Sequence, residues 1–427
     1  MNSRQIQNLQ SVSKDYKIMA AILEENSNSR SENGDEPLRF IYGLKDIEQL
    51  LKKVEESEKQ VKKLTSFKNQ IKTSEKRQKF IIIACVYVFF IALMISKIVF
   101  HNIQTNKNQA LIKASENGNL ERVEQLLSDG ANVDFKDDFG WRALHKAVKS
   151  GNLEMVHTLL QHGSEVNIKT ENNDTPLHLA VENGNIEIIK ELLQNKAKLD
   201  IKTKDNENTP LHLAAKSGDA KLVKLLLEHG GKVDMKNRNH NTALLLAIKN
   251  GHFQVVEILL ISGANANLQN DEASALMLAA RNNNLEIVQL IIEYGADASA
   301  TNSKKENALH FAAFNDNPKL AEILLHNGAY INARNEDRWT PLHVAAYEGN
   351  PKVVEVLLKN GARIELKTRH SYTALDLVVE HENGKFYDVV DLFKNKIMEN
   401  PELEAVASTI FRIRWKVVVP LPLDDSV

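Results

Sequence analysis

A six-residue motif recurs along the chain at an almost constant interval, and this interval restricts the possible folds more than any other feature. The motif reads TPLHLA at 175–180 and 209–214 and TPLHVA at 340–345, with degenerate copies around these. Its leucine returns every 32 to 34 residues, at Leu111, Leu144, Leu177, Leu211, Leu244, Leu276, Leu309, Leu342 and Leu375. One unit of this length cannot bury its own apolar face, so neighbouring units must stack into a continuous core.

Each motif is followed by a second apolar group and usually by a glycine, as in GNLEMVHTLLQHG at 151–163. Leucine and alanine at helical spacing predict a first helix, and the V-x-x-L-L group predicts a second one. The glycine supplies a left-handed cap, and the polar stretch after it predicts a protruding hairpin. The pattern closely resembles the ankyrin repeat over residues 108–397, about nine units. This resemblance implies an all-α solenoid with a helix-turn-helix and a hairpin in each repeat.

Three departures from the pattern carry local predictions. Lys196 stands where other units have the glycine after the second helix, so this turn should be strained or reshaped. Pro318 and Pro351 fall in the first turn of a second helix, where a missing N–H costs little. The last unit carries extra residues around 381–390, so its helices should be the least well formed.

Histidines at equivalent positions are the only constellation that invites a catalytic or metal-binding interpretation. They are His145, His178, His212, His310 and His343. Stacked helices lie about 8–10 Å apart, too far for neighbours to share a zinc ion at about 2 Å per ligand. The resemblance implies a structural role, with each imidazole hydrogen-bonded to a neighbouring hairpin backbone. Since the sequence also has no phosphate-binding, metalloprotease or nucleophile motif, we expect no enzyme activity, cofactor or metal.

The ankyrin resemblance implies protein binding through the concave surface, which is built from hairpin tips and the exposed side of the first helices. Carried over position by position, it identifies Phe139, Trp141, Arg142, Lys146, Arg281, Phe314, Arg334, Arg338, Trp339, Tyr347, His370 and Tyr372. Arginine, tryptophan and tyrosine dominate interface energetics. We therefore expect the candidates between Arg334 and Tyr372 to form a contact patch.

A run of seventeen residues without charge, FIIIACVYVFFIALMIS, lies at 80–96. Extended to residue 100 it would span about 32 Å as a helix, which matches a bilayer core of about 30 Å. It predicts a single transmembrane helix over residues 80–100; the alternative is a helix buried in a globular core. Cys85, the one cysteine, lies in this run, so no disulfide forms within the chain.

The charges beside this run bear on its orientation. Residues 59–79 carry eight Lys or Arg and one acid, which favours a cytoplasmic N-terminus and translocated repeats. The ankyrin resemblance instead favours repeats that face a cytosol. The side on which the repeats lie therefore stays open.

The residues before the run predict two helical segments. Residues 1–40 read as an N-terminal helix and polar linker, and residues 41–79 as an amphipathic helix with coiled-coil heptads. The heptad positions are Ile47, Leu50, Val54, Ser57, Val61, Leu64, Lys68 and Ile71. They predict homo-oligomerisation through residues 47–71, and the alternative is a lone helix on an anionic lipid surface. Residues 398–427 form a C-terminal tail.

Together these features predict a single-pass membrane protein that acts as a scaffold for a protein partner of unknown identity. It resembles ankyrin proteins of intracellular bacteria that engage host targets. The net charge of -2 for the chain argues against a nucleic-acid partner. The alternatives are a regulatory or tethering subunit of a membrane channel or transporter, and an enzyme with an unrecognised site.

Overall fold

The computed structural model describes Lys59, residues 74–379 and residues 386–399. Three predictions concern residues outside this part of the chain. They are the predictions for residues 1–40, for the heptads of residues 47–71 (of which only Lys59 is described) and for residues 400–427. Within it, the regular structure is α-helical and no β-strand occurs, which confirms the predicted all-α class.

The first helix is long and contains the apolar run. Helix α1 spans Ser74–Glu116, so residues 101–107, which separate the two predicted domains, are helical as well. It also supplies the first helix of unit 1, whose second helix is α2, Leu120–Ser128. The turn between the two contains Gly118, which has a φ of 71°.

Units 2 to 9 each contribute two helices, and the recurring leucine lies in the first of them. The first helices are α3 (Ala143–Lys149), α5 (Pro176–Glu182), α7 (Pro210–Ser217), α9 (Ala243–Lys249), α11 (Ala275–Arg281), α13 (Ala308–Phe314), α15 (Pro341–Glu348) and α17 (Ala374–Val379). The second helices are α4 (Leu153–Gln161), α6 (Ile186–Gln194), α8 (Ala220–Glu228), α10 (Phe253–Ile261), α12 (Leu285–Glu293), α14 (Pro318–His326), α16 (Pro351–Lys359) and α18 (Phe386–Glu399).

Residues with short polar side chains cap the N-termini of most second helices, and residues with a left-handed backbone conformation follow their C-termini. Asn152 Oδ1 accepts the backbone N–H of Met155 at 3.0 Å, and asparagine or aspartate caps several later units in the same way. Pro318 and Pro351 occupy the first turns of α14 and α16, as predicted. Lys196 keeps the turn of the other units, with a φ of 65°, so the backbone is strained and not reshaped.

The first helices of neighbouring units pack more closely than the second helices do. The first helices of units 2–9 therefore line one face of the array, here called the inner face. The recurring leucine of these units is at most 2% exposed, so it belongs to one core that runs through the array.

The last unit departs from its neighbours in its second helix. Its first helix, α17, is described as far as Val379, and residues 380–385 lie outside the described part of the chain. Helix α18 has fourteen residues and fully buries Phe393, and the expectation that this unit is the least well formed stays a prediction.

Helix α1 exposes the apolar side chains that the sequence places in its middle. Phe90 is 61% exposed and Leu93 is 50% exposed. Val86–Glu116 is the candidate membrane span in the described part of the chain, with a mean hydropathy of 1.9, and none of its most apolar window is buried within the protein. A core helix of a soluble domain would bury these side chains.

Candidate functional site

The equivalent histidines form a buried structural network. In unit 3, Nδ1 of His178 accepts the Thr175 hydroxyl at 2.8 Å and the Thr175 backbone N–H at 3.2 Å. Its Nε2–H donates to the carbonyl oxygen of Asn208 in the next unit, at 3.2 Å. Equivalent bonds join His212 to Asn241 and His310 to Trp339. Each ring therefore ties a helix start to the hairpin of the following unit, as the resemblance implied.

Burial keeps these histidines neutral. It lowers the pKa of His145, His178 and His343 to about 4, and it lowers the pKa of His212 and His310 as well. Both ring nitrogens are already engaged in hydrogen bonds. Among the described residues, no group of three His, Cys, Asp or Glu side chains could hold a metal ion.

Trp141 is the centre of a small cluster on the inner face of unit 2. The ammonium groups of Lys146 and Lys149 each lie 5.0 Å from its ring centroid, within the range of cation–π attraction. Lys146 also forms an ion pair with Glu116 at 2.9 Å. The structure thus brings the candidates Trp141 and Lys146 together, and it adds Lys149, which the sequence did not single out.

Two of the candidate arginines bind backbone groups of the repeats themselves. Arg142 is half-buried, and its guanidinium donates to the carbonyl oxygens of Asp134 at 3.0 Å and Lys169 at 2.9 Å. Arg334 donates in the same manner to the carbonyl oxygen of Lys367, which occupies the position of Lys169 six units later. Both side chains hold the hairpin of the next unit in place.

A second aromatic cluster lies on unit 8. The rings of Trp339 and Tyr347 meet edge to face, with centroids 5.3 Å apart and an angle of 73° between the planes. Trp339 also contacts the buried ring of His343 at 6.3 Å between centroids. Trp339 is the counterpart of Trp141, and Tyr347 takes the place of Lys149. The same framework thus carries a basic cluster in unit 2 and an aromatic one in unit 8.

The position five residues after the recurring leucine forms an exposed row along the first helices, here called the rim row. It contains Lys149, Glu182, Lys216, Lys249, Arg281, Phe314 and Tyr347, all exposed. Arg281, Phe314 and Tyr347 are candidates from the sequence, whereas Lys216 and Lys249 were missed. Aligning the units by their leucine would have found both, since they occupy the same column as Arg281.

The remaining candidates lie in or beside the hairpins. Phe139 is an exposed residue at the hairpin tip of unit 2, and Arg338 lies at that of unit 8 with a φ of 62°. His370 and Tyr372 belong to the exposed hairpin of unit 9. Units 2 and 8 are six steps apart, roughly 50–60 Å at the usual helix spacing. The candidates therefore form two separate groups and not one patch.

Comparison with protein-family models agrees with the repeat pattern. A model described as "Ankyrin repeats (3 copies)" matches residues 111–205, 177–270 and 260–335. A second, described as "Ankyrin repeats (many copies)", matches residues 324–378. A search of curated proteins found no match.

Proposed function

We propose that this chain, which belongs to the ankyrin-repeat family, is a membrane-anchored scaffold. In this proposal it binds a protein partner along the inner face of its repeats. Ankyrin repeats are protein-interaction modules. The observation that carries the proposal is the aromatic set of units 7–9, where Phe314, Tyr347 and Tyr372 are exposed although the core needs none of them. Exposed aromatic side chains of this kind supply most of the binding energy in protein interfaces.

The membrane anchor in this proposal is helix α1. Its exposed phenylalanine and leucine side chains would be costly in water and are favourable in a hydrocarbon core. Anchoring concentrates the repeats at a membrane surface, and a coiled coil over residues 47–71 would make the scaffold multivalent. The resemblance to ankyrin proteins of intracellular bacteria extends the proposal to a partner in a host cell, to which translocated repeats would have access.

Partner binding is tested by using the full chain and two matched double variants to capture proteins from membrane and soluble cell fractions. Trp339→Ala with Tyr347→Ala removes the aromatic cluster of the inner face. Tyr294→Ala with Ile261→Ala removes exposed apolar side chains at the ends of second helices. We expect the first pair, and not the second, to abolish capture of a specific protein. Equal capture by both would contradict inner-face binding, and co-purification of a channel or transporter would favour a regulatory subunit.

The test of anchoring and orientation is protease protection on intact membranes, with a tag at each terminus. The charge distribution predicts that protease added on the cytoplasmic side removes the N-terminal tag and leaves the C-terminal tag. Digestion of the C-terminal tag from that side would place the repeats in the cytoplasm. Release of the whole chain by detergent-free buffer would overturn the anchor itself.

A further inference from the structure

The rim row changes character along the array. In units 4, 5 and 6 it presents the cations Lys216, Lys249 and Arg281 in succession. In units 7 and 8 it presents Phe314, which is 59% exposed, and Tyr347, which is 41% exposed. A ligand that follows the inner face therefore meets three positive charges and then two aromatic rings.

Two hairpin acids, Glu207 and Asp271, form ion pairs with residues outside the rim row. Glu207 pairs with Lys202 at 3.1 Å and with Arg238 at 3.8 Å. Asp271 pairs with His240 at 2.6 Å. Within the described part of the chain, neither Lys216 nor Lys249 is in an ion pair.

The third cation, Arg281, forms an ion pair with Glu272, in which a guanidinium nitrogen lies 3.9 Å from a carboxylate oxygen. Both side chains are more than half exposed. Exposed pairs of this kind contribute little. The Arg281 guanidinium therefore remains able to bind a ligand carboxylate.

Apolar side chains run beside the rim row in units 4–8. They lie two residues after the recurring leucine, half-buried or buried, at Leu213, Leu246, Leu278, Phe311 and Val344. At the aromatic end, Trp339 supports Tyr347 from the hairpin side. An apolar floor with a charged rim is the surface that an amphipathic peptide covers.

We infer that the inner face of units 4–8 binds an acidic peptide segment of a partner protein that carries bulky apolar side chains at one end. Carboxylates of the peptide bind Lys216, Lys249 and Arg281, and its apolar end packs on Phe314 and Tyr347. The site spans four steps of about 8–10 Å, so roughly 10–12 residues in an extended conformation fill it. This inference rests on the proposed function and specifies the partner class.

Single-stranded nucleic acid also uses cations and aromatic rings, but this face suits it less well. The part of the chain after residue 96 carries 38 Lys or Arg against 44 Asp or Glu, which repels a phosphate backbone. The edge-to-face arrangement of Trp339 and Tyr347 does not offer two parallel ring faces for stacked bases. A peptide with a few carboxylates satisfies the three cations without that repulsion.

The experiment begins with selection of displayed random 16-residue peptides on the full chain in lipid nanodiscs. Binding of the enriched peptides is then measured by fluorescence anisotropy. One triple variant reverses the cations: Lys216→Glu, Lys249→Glu, Arg281→Glu. Its control reverses three exposed lysines of second helices: Lys190→Glu, Lys221→Glu, Lys352→Glu. A double variant, Phe314→Ala with Tyr347→Ala, tests the apolar end.

We expect the enriched peptides to combine acidic residues with an aromatic or aliphatic end. The triple inner-face reversal should weaken binding by roughly tenfold or more, because three charge pairs with the peptide are lost. The control should change binding by less than about twofold. A peptide with lysine in place of its acids should regain affinity for the triple variant. The double aromatic variant should weaken binding at least tenfold at low and high salt alike.

Three outcomes would overturn this inference, and they differ in what they leave standing. In the first, the enriched peptides carry no acidic residues but still lose their binding to the double aromatic variant; this overturns the partner class and leaves inner-face binding intact. Tighter binding of a twelve-nucleotide single-stranded RNA than of any peptide overturns it in favour of nucleic acid. Peptides whose affinity no inner-face variant changes, or an absence of enriched peptides, contradict the proposed function as well.

Discussion

Lys196 occupies the position at which the second helices of units 1, 2 and 4–8 are followed by a left-handed glycine. Its φ of 65° requires a conformation that costs a residue with a β-carbon about 1 kcal/mol or more. The backbone N–H groups of Lys196 and Ala197 still bond the carbonyl oxygens of Leu193 and Leu192. We predict that Lys196→Gly keeps these bonds and raises the free energy of unfolding by about 1 kcal/mol, measured by urea denaturation of the full chain in detergent.

The reverse change at the equivalent position of the preceding unit is the matched control. Gly163 has a φ of 86° in the same turn, and a β-carbon there would meet no atom within 4 Å. Gly163→Ala should therefore lower the free energy of unfolding by about 1 kcal/mol through backbone strain alone. A lower stability for Lys196→Gly would show that the lysine side chain contributes more than its backbone costs.

The roles of single residues were predictable where one unit repeats another. For the column of histidines, the resemblance to ankyrin repeats implied a shared structural role, and the bonds of His178 and His212 to the next hairpin confirm it. The guanidinium of Arg142 was not predictable in this way. Its partners include the carbonyl oxygen of Lys169, 27 residues away, and only the stacking of units brings the two together.

Helix α1 is the element whose surface differs most from that of the other helices. Two lysines near the middle of its apolar run would each cost about 2.5–3.5 kcal/mol in a bilayer. We predict that Phe90→Lys with Leu93→Lys moves the full chain from the membrane pellet to the soluble fraction after alkaline carbonate extraction. Both side chains are at least half exposed and lie outside the repeats, so the repeats should keep their fold.

The control for this prediction places the same two lysines elsewhere. Phe139→Lys with Phe314→Lys changes exposed aromatic residues of the repeats by the same charge. This pair should leave the chain in the membrane pellet. If both pairs release the chain equally, or neither does, α1 is not the anchor.

At the scale of elements, the sequence predicted the helices of units 2–9 because each has its own start and stop residues. Pro318 and Pro351 begin helices where the spacing indicated. Two features were not predictable from local pattern. Residues 101–107 continue α1 without a break, since no proline or glycine ends the helix there. Helix α18, with fourteen residues, is longer than any other second helix, and no local pattern around residues 381–390 indicated this length.

The whole array of repeats shares one response to acid through its buried histidines. The folded pKa of His145, His178 and His343 is about 4, below the usual value of 6.5, because burial disfavours the charged ring. The unfolded chain therefore binds more protons between these values. The stability that these groups contribute is complete above about pH 6.5 and is lost as the pH falls towards about 4.

We predict that the free energy of unfolding falls between pH 6.5 and pH 4 by up to about 1.4 kcal/mol per pH unit for each such histidine. His178→Leu with His343→Leu, which follow the natural Leu245 at the same position, should make this slope shallower even though they also lower stability at neutral pH. The measurement is urea denaturation at a series of pH values, monitored by tryptophan fluorescence. Leu245→Met, which changes the same position of unit 5 without a titratable group, should leave the slope unchanged. An unaltered slope in the double variant would mean that other groups govern acid unfolding of the array.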